Sequence, residues 1–310
     1  MATVAAPGGS RRLRLRYLAE RRGFLASVLI APAVLFIGAL VGAPLVLAIY
    51  LSFTDATAGS LTGKWIGLAN FRNELHDPIF RGAIWHTFLF TTISQAVVIL
   101  VAGLLAHALV RNFRGRWFFR FFILLPWAAP VALTAIGFLW FYDPQASIFT
   151  WFLVHLHLVS ANNHPTWLGT PRAAMSSIIT VQAWRSIPFA TVIFLAGISS
   201  IPQEVDDAAA IDGATGLKKF WYVSLPLQLP IAIVAVLFGI VFTATDMVVP
   251  YILTNGGPFN STQVLTTYAF QTGINAGNIG EGAAIALFML PLLAFVVIGM
   301  LVFARRAEVT

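Results

Sequence analysis

The chain has 310 residues, 58% of them hydrophobic and only 10% charged, with a mean hydropathy of +0.83. A soluble domain carries about 25% charged residues, so this is an integral membrane protein whose length is spent on spans, with no room for a separate soluble domain. The absence of cysteine excludes disulfides, thiolate metal sites, iron–sulfur clusters and a cysteine nucleophile, and the formal charge of +7, gathered near span ends, fits membrane topology rather than nucleic-acid binding.

In chain order, residues 1–23 form a basic segment with Arg11, Arg12, Arg14, Arg16, Arg21 and Arg22. The apolar run at about 24–51 is too long for a signal-peptide core, so it is expected as an uncleaved first span. Further spans are expected at about 84–110, 119–141, 173–197, 227–253 and 279–304. Each exceeds the ~20 apolar residues that cross a bilayer. Mixed or polar stretches at 52–83, 142–172 and 254–278 separate them, and 305–310 is a short basic-headed tail. The expected fold is therefore all-α and polytopic, with six transmembrane helices.

Fourteen basic residues fall on the N-terminal side of this topology. Four fall on the other side, namely Lys64, Arg72, Arg81 and Arg172, while Arg185 lies within a span. The asymmetry predicts that both termini, and the segment 202–226, face the cytoplasm.

Segment 202–226 reads as a folded helical hairpin rather than a loop. Pro202 suits a first helical turn, Glu204, Asp206 and Asp207 complement the positive helix N-terminus, and Gly213 fits the stop. Thr215 is placed to cap a second short helix ending before Pro226. Ala208, Ala209 and Ala210 leave a small-residue surface suited to another protein's groove; an amphipathic hairpin resting on the lipid interface is the alternative.

Nucleotide, metal and hydrolase motifs find no support. The run Gly213 to Lys219 lacks the spacing and the hydroxyl residue of a phosphate-binding loop. A nucleotide-driven process would therefore need another subunit. His155 and His157 have the wrong spacing for one helical face. The remaining clue is a pair of intramembrane charges, Arg185 and Asp246, which a bilayer tolerates only against protein or water. With Gln182, Trp184, Thr243, Thr245 and Tyr251 near them in sequence, they mark either a pathway for a polar, ring-shaped solute such as a sugar or an ion pair between helices.

Asp207-Ala208-Ala209, Gly213 and Val223-Ser224-Leu225-Pro226 resemble the E-A-A-x3-G-x9-I-x-L-P signature of permease subunits of bacterial ABC importers. Asp207 stands for the glutamate and Val223 for the isoleucine. Stretches 66–71, 114–120, 125–127, 184–189, 196–202, 210–214 and 253–258 are similar to the carbohydrate-uptake branch, of maltose or trehalose type, so the resemblance covers about residues 25–305.

The resemblance implies a permease that pairs with a second, related permease as a heterodimer. Asp206, Asp207, Ala208, Ala209, Asp212 and Gly213 would lie in a coupling helix docked on one of two cytoplasmic ATPase subunits, with Asp207 accepting from a basic residue there. Those partners would use the ATP and magnesium, and this chain would bind no cofactor and be no enzyme. An extracytoplasmic sugar-binding protein would deliver the sugar. A stand-alone secondary carrier or channel, and an embedded enzyme, are the competing classes.

Overall fold

A computed structural model describes residues 22–60, 62–160 and 165–308. The expected basic segment, up to residue 21, and residues 309–310 of the tail lie outside the described residues. These are helical, with only isolated backbone bridges between extended residues. In order the helices are α1 (Arg22–Ile37), α2 (Ala43–Ser52), α3 (Ala69–His76), α4 (Pro78–Val110), α5 (Arg116–Ala128), α6 (Val131–Phe141), α7 (Ile148–His155) and α8 (Pro171–Ser199). Then come α9 (Gln203–Ile211), α10 (Leu217–Lys219), α11 (Leu225–Ala244), α12 (Val248–Thr254), α13 (Leu265–Phe270), α14 (Ile279–Leu287) and α15 (Met289–Glu308). Three π turns, Gly38–Gly42, Phe220–Ser224 and Gln271–Asn275, join neighbouring helices.

The chain divides into two compact units at Leu51 and Ser52. In the first, α1, its π turn and α2 make one apolar run on which Leu29, Leu35, Phe36 and Val46 are all exposed. Such a surface is stable in hydrocarbon, where the helix satisfies its own backbone.

In the second unit α4, α8 and α11 pack together, with α5 against α8 and α15 against α11. Asp77 starts α4 by accepting from the Ile79 amide at 2.8 Å, and Pro78 occupies the first turn. Small residues bring these helices close: Val98, Ala102, Ala106, Ala183, Ala190 and Ala235 share one core with Phe194. A second core joins Phe90, Phe138, Ile178 and Val249, and a third joins Phe80, Leu265, Ile285 and Met289.

Among the described residues, five helical stretches are long and apolar enough to cross a membrane, or six if one bent pair is a single span. That pair is α5 and α6, bent by 97° within the expected span 119–141. Ala129 precedes Pro130 and is held extended, with ψ 137°, because the proline ring crowds the helical conformation there. The expected span 227–253 also differs. Helix α11 ends at Ala244 and α12 starts anew at Val248, the Val249 amide donating to Asp246 Oδ1 at 3.1 Å.

In the hairpin, Gly213 ends α9 as expected, left-handed at φ +74°, whereas Pro202 lies extended just before the helix rather than in its first turn. Its second arm does not stop before Pro226. It runs from Leu217 through the π turn Phe220–Ser224 and Pro226 to Ala244. In the π turn the Leu225 amide donates to the Phe220 carbonyl five residues back. The ladder is thus already shifted where the proline donor is missing, and Pro226 falls in the first turn of α11. The stretches between spans carry short helices of their own, α3, α7 and α13.

Candidate functional site

Two places gather the polar side chains picked out from sequence. The first is a cavity of about 530 Å³ between α4, α5, α8 and α11. Arg185 on α8 and Asp246 after α11 meet across it at 2.7 Å, with side-chain exposures of 19% and 7%. Arg185 also donates to Gln182 Oε1 at 3.3 Å. Gln182 and Gln95 both donate to the Thr243 hydroxyl, at 3.3 and 2.8 Å. Three helices, α4, α8 and α11, and the linker after α11 are therefore tied by one polar network in the apolar bundle, where each unmade bond is costly.

The rest of the wall is aromatic and small. Trp127, Phe189 and Phe242 line the cavity, with Trp127 and Phe189 stacked at 6.0 Å and Phe189 edge-on to Phe242 at 6.2 Å. Gly239 lets Gln95 approach α11, since a Cβ there would stand 2.2 Å from Gln95 Oε1. Such a wall offers a carbohydrate both aromatic faces for its C–H surfaces and charged or amide partners for its hydroxyls.

Gln182, Arg185, Thr243 and Asp246 thus come together. Thr245 lines the same cavity, its hydroxyl donating to the Val241 carbonyl. Trp184 and Tyr251 do not join them. Trp184 is 40% exposed and packs edge-on against Phe138. Tyr251 packs on Phe270, and its hydroxyl accepts from Asn275 Nδ2 at 3.4 Å. Sequence reasoning missed Gln95, Trp127, Phe189 and Phe242. Phe189 was within reach, because it lies one helical turn beyond Arg185 on the same face.

The second place is α9 and the turn after it. Asp207, Ala208, Asp212 and Gly213 are exposed, whereas Ala209 is only 6% exposed and faces its own chain. Asp206 is engaged within the hairpin by Lys219 Nζ at 2.9 Å. Both partners are substantially solvated, so this pair contributes under about 1 kcal/mol and serves to orient α9 against α10. Asp207 is exposed beside a methyl-sized surface, with Glu204 and Asp212 also exposed on the hairpin.

Apolar helices thus surround a largely apolar cavity crossed by one buried ion pair, and an acidic elbow is exposed between two of them, an arrangement that fits a membrane transport component. The chain belongs to the family described as the inner membrane component of binding-protein-dependent transport systems, whose profile matches residues 98–309. It is 30% identical over 271 residues to the sulfoquinovosyl glycerol transport system permease protein SmoG of Agrobacterium fabrum, covering 86% of each chain. It is 32% identical over 223 residues to the trehalose/maltose transport system permease protein MalF of Thermococcus litoralis, covering 72% of this chain and 74% of that one. Its fold is similar to a chain of a bacterial ABC transporter involved in the import of the acidic polysaccharide alginate, with a TM-score of 0.78 at 19% identity, covering 94% and 99% of the two chains.

Proposed function

We propose that this chain is one of two permease subunits in an ATP-driven sugar importer of the bacterial inner membrane. It spans the bilayer six times, counting α5 and α6 as one broken span, with both termini in the cytoplasm. Its permease domain runs from residue 24 to 304. Its relatives serve sulfoquinovosyl glycerol and trehalose or maltose, and a solved neighbour was captured with a pentasaccharide-bound periplasmic protein. The same class of partners is assigned here: a second permease as heterodimer, two cytoplasmic ATPase subunits that use ATP and magnesium, and an extracytoplasmic sugar-binding protein. The chain itself hydrolyses nothing.

The observation that carries this reading is the elbow. Asp207 and Ala208 lie exposed on α9, Gly213 closes that helix left-handed, and the next arm continues into a span. We assign α9 as the coupling helix that docks on an ATPase. Gln182, Arg185, Thr243 and Asp246, with Gln95 and the aromatic wall, are assigned to the sugar pathway.

Asp207→Lys should abolish sugar-stimulated uptake in vesicles while the chain still inserts and pairs with the second permease. Reversing a charge at a docked interface costs about 2–5 kcal/mol, more than a tenfold loss of docking. Gly213→Val should do the same by straining the left-handed turn. Uptake, co-purification of the ATPase and membrane insertion are measured side by side. Normal uptake by both variants rejects the docking role, and accumulation by the isolated chain in liposomes without an ATPase makes it a carrier.

A further inference from the structure

At the other end of the bundle a group of acids has no part in the cavity or the elbow. Helix α3 is fixed at its start by Asn70, whose amide nitrogen donates to the Ser52 and Thr54 carbonyls, both at 2.9 Å. One turn on, Glu74 points inward and is only 1% exposed. Helix α14 packs against α3 with Glu281 beside Glu74, whose buried Oε2 has no hydrogen-bond partner. Glu281 Oε2 in turn accepts from Asn278 Nδ2 at 3.2 Å. Next to them, Asp77 accepts from the Tyr268 hydroxyl of α13.

The charged and titratable groups around Glu74 are Asp77 at the start of α4, Glu281 on α14 and Tyr268 on α13. On its own helix Arg72 and His76 are exposed, and His76 Nδ1 is bonded to the Arg72 carbonyl. Among the described residues the ion pairs are Arg185–Asp246 and Lys219–Asp206, so no base neutralises this group. Two carboxylates that meet in a buried place without a cation cannot both be ionised. Glu74 is the group that holds the proton, because it is 1% exposed whereas Glu281 is only partly buried and its Oε2 accepts from Asn278.

We propose that Glu74 and Glu281 form a proton-binding site, and that the shared proton clamps α3 to the start of α14. The pH of the compartment facing this end of the bundle then sets how firmly α3 is held. Burial first, then the bond to Glu281 and the charges of Glu281 and Asp77, push the Glu74 carboxyl from its ordinary 4.5 up to about 8. The folded protein therefore holds a proton that the unfolded chain releases. The clamp is at full strength below 4.5, weakens as pH rises, and is lost through about 8. Tyr268, its phenol raised by burial and by its bond to Asp77, stays protonated and keeps its own contact throughout.

The test uses the complete transporter in lipid, with two readouts that do not depend on the solute. Infrared difference spectra between about pH 6 and about pH 9 should show one protonated carboxyl lost in the wild type and none in Glu74→Gln. Nitroxides placed at Leu75→Cys and Ala276→Cys in this cysteine-free chain should report a narrow distance distribution at the lower pH and a broad one at the higher. In Glu74→Gln, which donates the same bond without titrating, the distribution should stay narrow at both. Glu281→Gln, a second variant in case the first does not fold, should move the carboxyl loss to lower pH by removing the neighbouring charge. An absent carboxyl band in the wild type, distances that ignore pH, or a band unmoved by Glu281→Gln each overturns the proposal.

Discussion

Asp246→Ala should destabilise the folded protein by about 3–5 kcal/mol, the cost of leaving a buried charge without its partner. Arg185 is 19% exposed and its guanidinium has Asp246 at 2.7 Å as its acid, with only a 3.3 Å amide contact besides. Asp246 does a second job, accepting from the Val249 amide at 3.1 Å at the start of α12. Asp246→Asn therefore separates the two effects, because an amide still caps the helix but cannot neutralise the arginine. It should recover only the smaller part, about 1 kcal/mol, that a cap contributes. Pairing Asp246→Ala with Arg185→Met should recover more, since the stranded charge is then gone as well. Thermal unfolding of the four detergent-solubilised proteins checks the order. If Asp246→Ala unfolds with the wild type, the ion pair holds nothing together and the two charges are kept apart by water.

Gly282→Val should be more harmful than a substitution at Gly273 or Gly299. A Cβ at 282 would stand 2.4 Å from Gly273 Cα and 2.6 Å from its nitrogen. These are backbone atoms, so no rotamer relieves the clash, and α14 must move away from the turn Gln271–Asn275. Overpacking of this kind costs about 3 kcal/mol at the upper end of its usual range. The neighbouring positions set a graded control. Gly273→Ala meets Gly282 Cα at 3.3 Å and should be milder, while Gly299→Ala meets nothing within 4 Å. The last should be neutral or stabilising by about 0.5–1 kcal/mol, because alanine loses less backbone freedom in a helix. Yield and melting temperature of the three variants in detergent give the ranking; equal values would mean that α14 and the π turn separate freely.

Much of the helical layout is legible in the sequence because hydrocarbon leaves the backbone few options, so a long apolar run is a helix. What hydropathy does not carry is where such a run breaks. Ala129–Pro130 breaks a span that composition reads as continuous, whereas Pro226 does not break one that composition reads as ending. The difference is local. Pro130 follows a residue already extended, and Pro226 follows a π turn whose ladder has shifted. The cavity was half legible for a geometric reason. Residues close in sequence were grouped together, but 3.6 residues per turn puts Arg185 beside Gln182 and sends Trp184 to another face. Gln95 went unnoticed because an amide in the middle of an apolar run carries no charge to attract attention, and its role appears only when α4 lies against α11. The acid pair at Glu74 and Glu281 was invisible for the plainest reason: 207 positions separate them along the chain.

The π turn that lets the elbow run into its span has a mechanical consequence. From Phe220 to Ala244 the backbone is one helical rod of 25 residues, about 38 Å long at 1.5 Å per residue. Thr243, near its far tip, is the hydroxyl that both glutamines hold. With α9 as the coupling helix proposed above, a displacement beside Lys219 would reach the Thr243 hydroxyl, on which Gln95 and Gln182 converge, along one continuous helix, and the π turn and Pro230 would set how much of it is lost on the way.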